Sequence, residues 1–587
     1  MASVEPSVPA ALGALSDRAE ALLSNSRSRL LTAFGAQRRS FRGLGEAQFS
    51  DAVRAHRLAL QSGGMRDSHI ATAFALIGVA FERNLTIRVF DTQVIAASIV
   101  LGNRLAEMAT GEGKTYAVAL AAATAALAGI PVHVVTANDY LVARDADLLR
   151  PVYAALGLTV GAAIQGQQPP QRRAAYACDI TYCTAKELVF DYLRDGLGRS
   201  RNPLRQRVDQ LTGEVGAPPL LRGLCMAIVD EADSILIDEA RVPFILSQPV
   251  GNGQETDYLG QSLEVARQLR TDADYRLDAS TRTAQLTAHG RERVEALVPR
   301  FVSVWCNRLH REDTICTALA ALHLYRRDRH FLVRDGKVLI IDDTTGRVAP
   351  GRAWSRGLHQ LIELKEGCTP TAPQVTAAQI TYQRFFPRYL RLGGLSGTLR
   401  ESAGELRALY DLGVQRVPPR RRNRRTALPA RLFRDRNAMW DAVARRMVEL
   451  NHTGQPVLVG TDSVADSEAL SQRLNALGLA HAVLNARNDR AEAQIVARAG
   501  QRGAVTVATN MAGRGTDIAL AAGLAELGGL HVLCCQFNAA RRIDRQLAGR
   551  CARQGDPGSV ETWLAADAPL FRQMLPGTLR HLLAARA

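Results

Sequence analysis

At 587 residues the chain is too long for one hydrophobic core, and the length predicts roughly three or four domains. Its 47% hydrophobic and 22% charged content is that of ordinary globular protein, which excludes wholesale disorder. The net charge of +16 is almost all arginine. It suits acidic partners such as nucleic acid, anionic lipid or a nucleotide, and it equally suits a biased genome with a solvated arginine surface.

The only lysines are Lys114, Lys186, Lys337 and Lys365, so each surviving lysine is informative. Nine cysteines without a C-x-x-C pair predict no structural zinc and fit a reducing cytosol. The N-terminus lacks a basic start followed by an apolar core, so no signal peptide is expected. The longest uncharged run, Thr115 to Asn138, contains Pro131 and His133. It reads as a helix and then a strand, and the expectation is a soluble protein.

In chain order, residues 1 to about 85 carry helical apolar spacing in AEALLSNSRSRLLTAF and DAVRAHRLALQ. From Thr86 to about Ser247 the pattern becomes strand, glycine loop and helix, repeated. VHVVTAN and CMAIVDEAD are short apolar strands ending in polar residues, which predicts a parallel sheet with ligands at its carboxyl edge. Residues 248 to about 370 differ: polar helices precede HFLVRDGKVLIIDDTTGR, a pair of β runs joined at Asp335-Gly336. They read as an inserted α+β domain between 1–247 and 371–416. VPPRRRNRR, from Val417 to Arg425, reads as a linker, either a solvated hinge or a binding patch. A second α/β pattern occupies 417–587, with PVLVGTD, HAVLNAR, AVTVATN and LHVLCCQ as strands.

MATGEGKT, Met108 to Thr115, follows an apolar run and precedes an alanine-rich helix. Gly111 and Gly113 would let backbone amides turn toward phosphate oxygens, Lys114 would reach the β- and γ-phosphates, and Thr115 would ligate Mg²⁺. Met108 stands where the common phosphate-loop pattern has its first glycine. Asp-Glu-Ala occurs twice, at 230–232 and 238–240. Asp230 and Glu231 immediately follow a strand expected from Leu224 to Val229, so they emerge at the sheet edge facing the loop: Asp230 can hold Mg²⁺, and Glu231 can orient and deprotonate water. Asp238 and Glu239 read as a helix surface with Arg241 as a local partner. Residues 230 to 233 spell Asp-Glu-Ala-Asp, the signature of superfamily 2 motors. Two further features fit a two-lobed motor: Ser396-Gly397-Thr398, a hydroxyl-rich turn of the kind that links nucleotide state to the other lobe, and Thr509 to Asp517, a glycine-flexed acidic turn after a strand. Gln546, Arg550 and Arg553 are expected on one helical face, the arginines serving transition-state charge.

In these motifs the chain resembles the SecA family of motor ATPases in bacterial preprotein translocation. FDTQ, MATGEGKT, HVVTANDYLVARDAD, FDYLRD, VDEADSILIDEARVPFILS, TGRVAPGRAWSRGLHQLIELKEG, ATNMAGRGTDI and RRIDRQLAGR match the family's motifs in order. The resemblance implies two RecA-like lobes, superfamily 2 and DEAD-type, with the insertion as a preprotein cross-linking domain. It implies that Gln93 contacts adenine and that Gly111, Glu112, Gly113, Lys114 and Thr115 cradle phosphates. Asp230 and Glu231 would serve Mg²⁺ and water, Asp517 would sense nucleotide, and Arg550 and Arg553 would be finger residues. Expected cofactors are ATP and Mg²⁺, without zinc. Expected partners are unfolded preprotein, a SecYEG-type channel and an anionic lipid surface, with homodimerisation open and nucleic acid not expected. The expected location is the cytoplasm, peripheral to the inner membrane.

Three departures stand out. The chain is expected to lack the family's helical scaffold, wing and zinc tail. Cys534 to Ala540 replaces a charged family segment, and Ala552 replaces a glycine between the finger arginines. The alternatives are a DEAD-type nucleic-acid helicase, for which fold and charge would also serve, and a binding-only adaptor derived from the family.

Overall fold

The structure, a computed structural model, describes residues 8–198, 218–249, 253–278, 281–297, 305, 307–327, 330–334, 336–340, 354–371, 374–484, 492–509, 518–536, 538, 540–568, 571 and 576. The chain divides into two compact units, one of Met1–Phe244 with Ile380–Ala587, the other of Ile245–Gln379.

The first unit opens with three helices, Val8–Arg42, Glu46–Gly63 and Asp67–Leu85. The third is apolar almost all round, and Ala71 and Ala73 to Phe81 are buried. It packs into the same core as the helix Asp91–Leu101 and the alanine-rich helix Lys114–Leu127. Alanine is the best helix former and adds little bulk, so this last helix can lie buried from Ala117 to Leu127 between sheet and neighbours.

Strands β1 (Leu105–Glu107), β2 (Val132–Thr136), β3 (Val160–Ala163), β4 (Ile180–Thr184) and β5 (Met226–Asp230) form the first sheet. Two later strands, Arg391–Ser396 and Val414–Arg416, complete it. The order is Val414–Arg416, β1, Arg391–Ser396, β5, β2, β4, β3, and every pairing is parallel. All strands therefore end at one edge, where the phosphate-loop motif and the Asp-Glu-Ala-Asp motif emerge.

The second lobe repeats the plan. Its order is Arg424–Ala427, Pro557–Ala565, Leu530–Cys534, Val457–Thr461, Val505–Thr509, Ala482–Leu484, with Arg431–Phe433 pairing the far end of Pro557–Ala565. These pairings are also parallel. The four strands expected in this half are all present. Two parallel α/β lobes, the expected fold class, thus make one compact body.

The second unit is α+β. Helices Gly253–Arg267, Ala288–Leu297, Arg308–His323 and Leu358–Lys365 accompany two antiparallel pairs, Tyr275–Asp278 with Thr283–Leu286 and Phe331–Arg334 with Lys337–Ile340. It has its own core around Trp305, Ile315, Leu319, Phe331 and Leu361. Lys365 donates to the carbonyl of Ala321, in the last turn of the helix Arg308–His323, at 3.0 Å and to that of Tyr325, just past its end, at 2.9 Å. That retained lysine is structural.

Candidate active site

Gly111 and Gly113 bring the phosphate loop around with φ of 85° and 83°, backbone that disfavours any side chain. Space forbids one as well: a Cβ on Gly113 would stand 2.3 Å from Gln93 Nε2. The loop delivers Lys114 and Thr115 to the first turn of the helix Lys114–Leu127. Facing them, β5 ends at Asp230, and Glu231 follows at φ 55°. This left-handed conformation costs a non-glycine residue about 1–2 kcal/mol, and such strain concentrates at functional sites. The Glu231 N–H donates to Asp230 Oδ1 at 3.0 Å.

Lys114 Nζ and the Glu231 carboxylate form a buried ion pair across the cleft. Burial disfavours the lysine's charge, but the carboxylates of Glu231, Asp230 and Asp233 outweigh that and raise its pKa. Burial lifts Asp230 to about 7 despite Lys114, with Glu231 and Asp145 adding to the rise. Asp233, fully buried, accepts from Ser396 Oγ at 2.6 Å and from Thr398 Oγ1. Ser396 Oγ also lies 3.5 Å from Glu231 Oε2.

The second lobe closes the cleft. A cavity of about 420 Å³ is lined by Gly111, Gly113, Lys114, Thr115, Asp230 and Glu231 on one side and by Gln546, Arg550 and Arg553 on the other. Arg553 is 9% exposed; burial pulls its pKa down to about 10, which still leaves it charged at neutral pH. Gln546, Arg550 and Arg553 do not share a helical face, because their helix ends at Ala548. The chain turns instead through Ala552 and Gln554, at φ 55° and 54°, and this turn carries Arg553 to the cavity.

Gln93 and Glu112 do not line that cavity. Gln93 lies beneath the loop: its Nε2 donates to the Glu112 carbonyl and its Oε1 accepts from the Phe90 N–H, both at 3.0 Å. Glu112 accepts from the Arg420 N–H at 3.3 Å, and the Arg420 guanidinium stacks 3.6 Å from the Phe90 ring centroid. Asp517 lies outside the described residues.

The oxygen donors fit Mg²⁺. Thr115 and Asp230 line one cavity, and Asp230, lifted mainly by burial and further by the nearby Glu231 and Asp145 carboxylates, is an oxygen donor whose charge a divalent cation would stabilise. Among the described residues no cluster of three or more His, Cys, Asp or Glu could hold a metal ion, but Mg²⁺ needs only one or two carboxylates plus phosphate and water.

Further contacts between the lobes have no local sequence signal. Asp238 does not sit on a free helix surface with Arg241. It follows β5 at the end of a single π-helical turn, Ser234–Asp238, and Arg542 of the second lobe holds it with both terminal nitrogens. Arg241 pairs with Glu405 at 3.4 Å. Thr110 Oγ1 donates to the Gly549 carbonyl at 2.8 Å, joining the glycine loop of the first lobe to the segment that carries Arg550 and Arg553. Spacing within either motif says nothing about such pairs.

Residues 14–407 match the SecA DEAD-like domain, and residues 422–525 and 521–586 match the SecA P-loop domain. The chain belongs to the SecA family. "Protein translocase subunit SecA 2" of Nitrosospira multiformis is 47% identical over 531 residues, covering 90% of this chain and 80% of that protein. "Protein translocase subunit SecA 3" of Magnetococcus marinus is 46% identical, covering 90% and 81%. "Protein translocase subunit SecA" of Nitratidesulfovibrio vulgaris is 41% identical, covering 92% of this chain and 63% of its own length. The SecA matches run through both lobes and across the residues of the second unit. No described helix is long and apolar enough to cross a membrane.

Proposed function

We propose that the protein is a SecA-type motor that hydrolyses ATP between its two lobes and uses the cycle to move unfolded polypeptide at a SecYEG-type channel on the cytoplasmic face of the membrane. Family membership supports the ATPase and translocase classes. One observation carries the site: Lys114 and Glu231 face each other in a cavity whose opposite wall supplies Arg550 and Arg553.

In this reading, the loop amides and Lys114 hold the β- and γ-phosphates of ATP, and the arriving phosphate competes with Glu231 for the lysine. Glu231 orients the attacking water and accepts its proton. Arg550 and Arg553 stabilise charge on the transferring phosphoryl group from the second lobe. Mg²⁺, held by Thr115 and Asp230, would neutralise phosphate charge. The second unit serves as the preprotein cross-linking domain.

Glu231→Gln tests the site. The variant should bind ATP with near wild-type affinity and hydrolyse it at least 100-fold more slowly. Unchanged turnover would remove Glu231 from the chemistry. For the substrate class, wild-type ATPase should rise with unfolded preprotein and SecYEG vesicles. Stimulation by single-stranded RNA alone would favour a nucleic-acid helicase.

A further inference from the structure

The helix Arg541–Ala548 of the second lobe carries a residue that reaches the first lobe without entering the nucleotide cavity. Arg545 donates through Nη1 to Glu107 Oε1 at 3.3 Å and through Nη2 to Glu107 Oε2 at 3.1 Å. The same Nη2 lies 2.9 Å from Glu401 Oε2 and 3.5 Å from the Gly397 carbonyl. Its Nε is buried without a hydrogen-bond partner, so the terminal nitrogens alone fix the side chain.

Each acceptor belongs to the machinery around the cleft. Glu107 ends β1, immediately before the phosphate loop, and is 7% exposed. Its Oε2 also accepts the backbone N–H groups of Leu399 and Arg400, at 2.9 and 2.6 Å. Those two residues follow the Ser396-Gly397-Thr398 turn directly. The turn's hydroxyls in turn hold Asp233, and Ser396 Oγ approaches Glu231. A continuous path, part-exposed at Arg545 and Glu401 and buried from Glu107 inward, therefore runs from the second lobe to Glu231.

We propose that Arg545 is a positioning residue for hydrolysis: by bridging Glu107, Glu401 and Gly397 it fixes the Ser396–Thr398 turn, and through it Glu231, when the lobes are docked. This inference rests on the ATPase reading of the same cleft. Arg545 touches no reacting atom; it acts through the turn. Arginine suits the task because its planar fork meets two carboxylates and a carbonyl together, whereas a lysine presents a single point of charge.

The test is steady-state ATPase kinetics with nucleotide affinity measured separately by displacement of a fluorescent ATP analogue. Arg545→Ala should lower kcat about tenfold and leave KM and nucleotide affinity within about twofold, as expected for an interaction expressed at the transition state. Arg545→Lys should recover part of the loss. Combined with Ser396→Ala, Arg545→Ala should add little further loss, because both substitutions loosen the same turn. If Arg545→Ala does not fold, Arg545→Gln carries the same comparison. Wild-type kcat in these variants, or losses that multiply with Ser396→Ala, would overturn the inference and leave the ATPase reading standing. A wild-type protein without ATPase activity would overturn both.

Discussion

Ala552 stands between Arg550 and Arg553 with φ 55°, a conformation that costs an alanine about 1–2 kcal/mol and a glycine almost nothing. Its backbone also touches the next strand, since a Cβ on Gly558 would stand 2.6 Å from Ala552 N. The segment is therefore held under strain at a residue between its two cavity-lining arginines. Ala552→Gly should stabilise the protein by roughly 0.5–1 kcal/mol after glycine's extra unfolded-state entropy is subtracted. The measurement is a shift of the urea midpoint upward at unchanged slope. A lower midpoint would show that the turn tolerates alanine without strain.

At the scale of elements, each lobe buries a histidine in a central strand. His133 in β2 is hydrogen-bonded to the Tyr389 hydroxyl at 2.7 Å, and His531 in Leu530–Cys534 to Ser559 Oγ at 2.7 Å. Burial is the main cause that holds both near pKa 4; Arg222 adds to it at His133, and Glu561 opposes it at His531. Both histidines therefore fold neutral, while an unfolded histidine titrates near 6.5. The unfolded chain binds more protons between about pH 6.5 and 4, so their contribution is complete above that window and is lost as pH falls through it. From pH 7 to 5 each should cost on the order of 2 kcal/mol. Chemical denaturation at the two pH values should show a smaller loss for His133→Gln than for wild type. An identical loss would mean that His133 is not buried neutral.

The same scale explains what the sequence revealed. The phosphate-loop motif and Asp230-Glu231 were each legible because each follows directly on a short strand within its own local segment, where spacing fixes geometry. The strand Arg391–Ser396 was not, because two glycines weaken its β pattern. They are needed there: a Cβ on Gly393 or Gly394 would stand 2.5 Å from the Val100 or Val229 carbonyl oxygen. β1, three residues long, was hidden in an apolar run that is mostly the helix Asp91–Leu101. The turn that carries Arg553 escaped a helical projection because the helix ends five residues earlier, at Ala548.

For the whole molecule, Asp238 and Arg542 join the lobes across 304 residues of sequence. The Arg542 side chain is only 8% exposed, so Asp238→Asn would take from a buried guanidinium the carboxylate that holds both its terminal nitrogens, with Asp233 and Glu405 still nearby, a loss of up to about 3–5 kcal/mol where such pairs are broken. Hydrogen exchange at residues 541–548 should rise in this variant. Exchange equal to wild type would show that other contacts alone hold the lobes. The second unit has its own core, so a fragment of residues 245–379 should fold by itself and unfold cooperatively with the fluorescence of Trp305 and Trp354. A fragment without a cooperative transition would show that this core is not sufficient.

The position of β1 also bears on how the chain is made. Both of its sheet neighbours, Arg391–Ser396 and Val414–Arg416, lie nearly 300 residues or more downstream, beyond the whole second unit. A ribosome must therefore deliver the inserted unit before the strand leading into the phosphate loop has anything to pair with. Until then the nascent chain carries an open sheet edge beside the loop, and the nucleotide pocket can form only late in synthesis, when long-range pairing becomes possible.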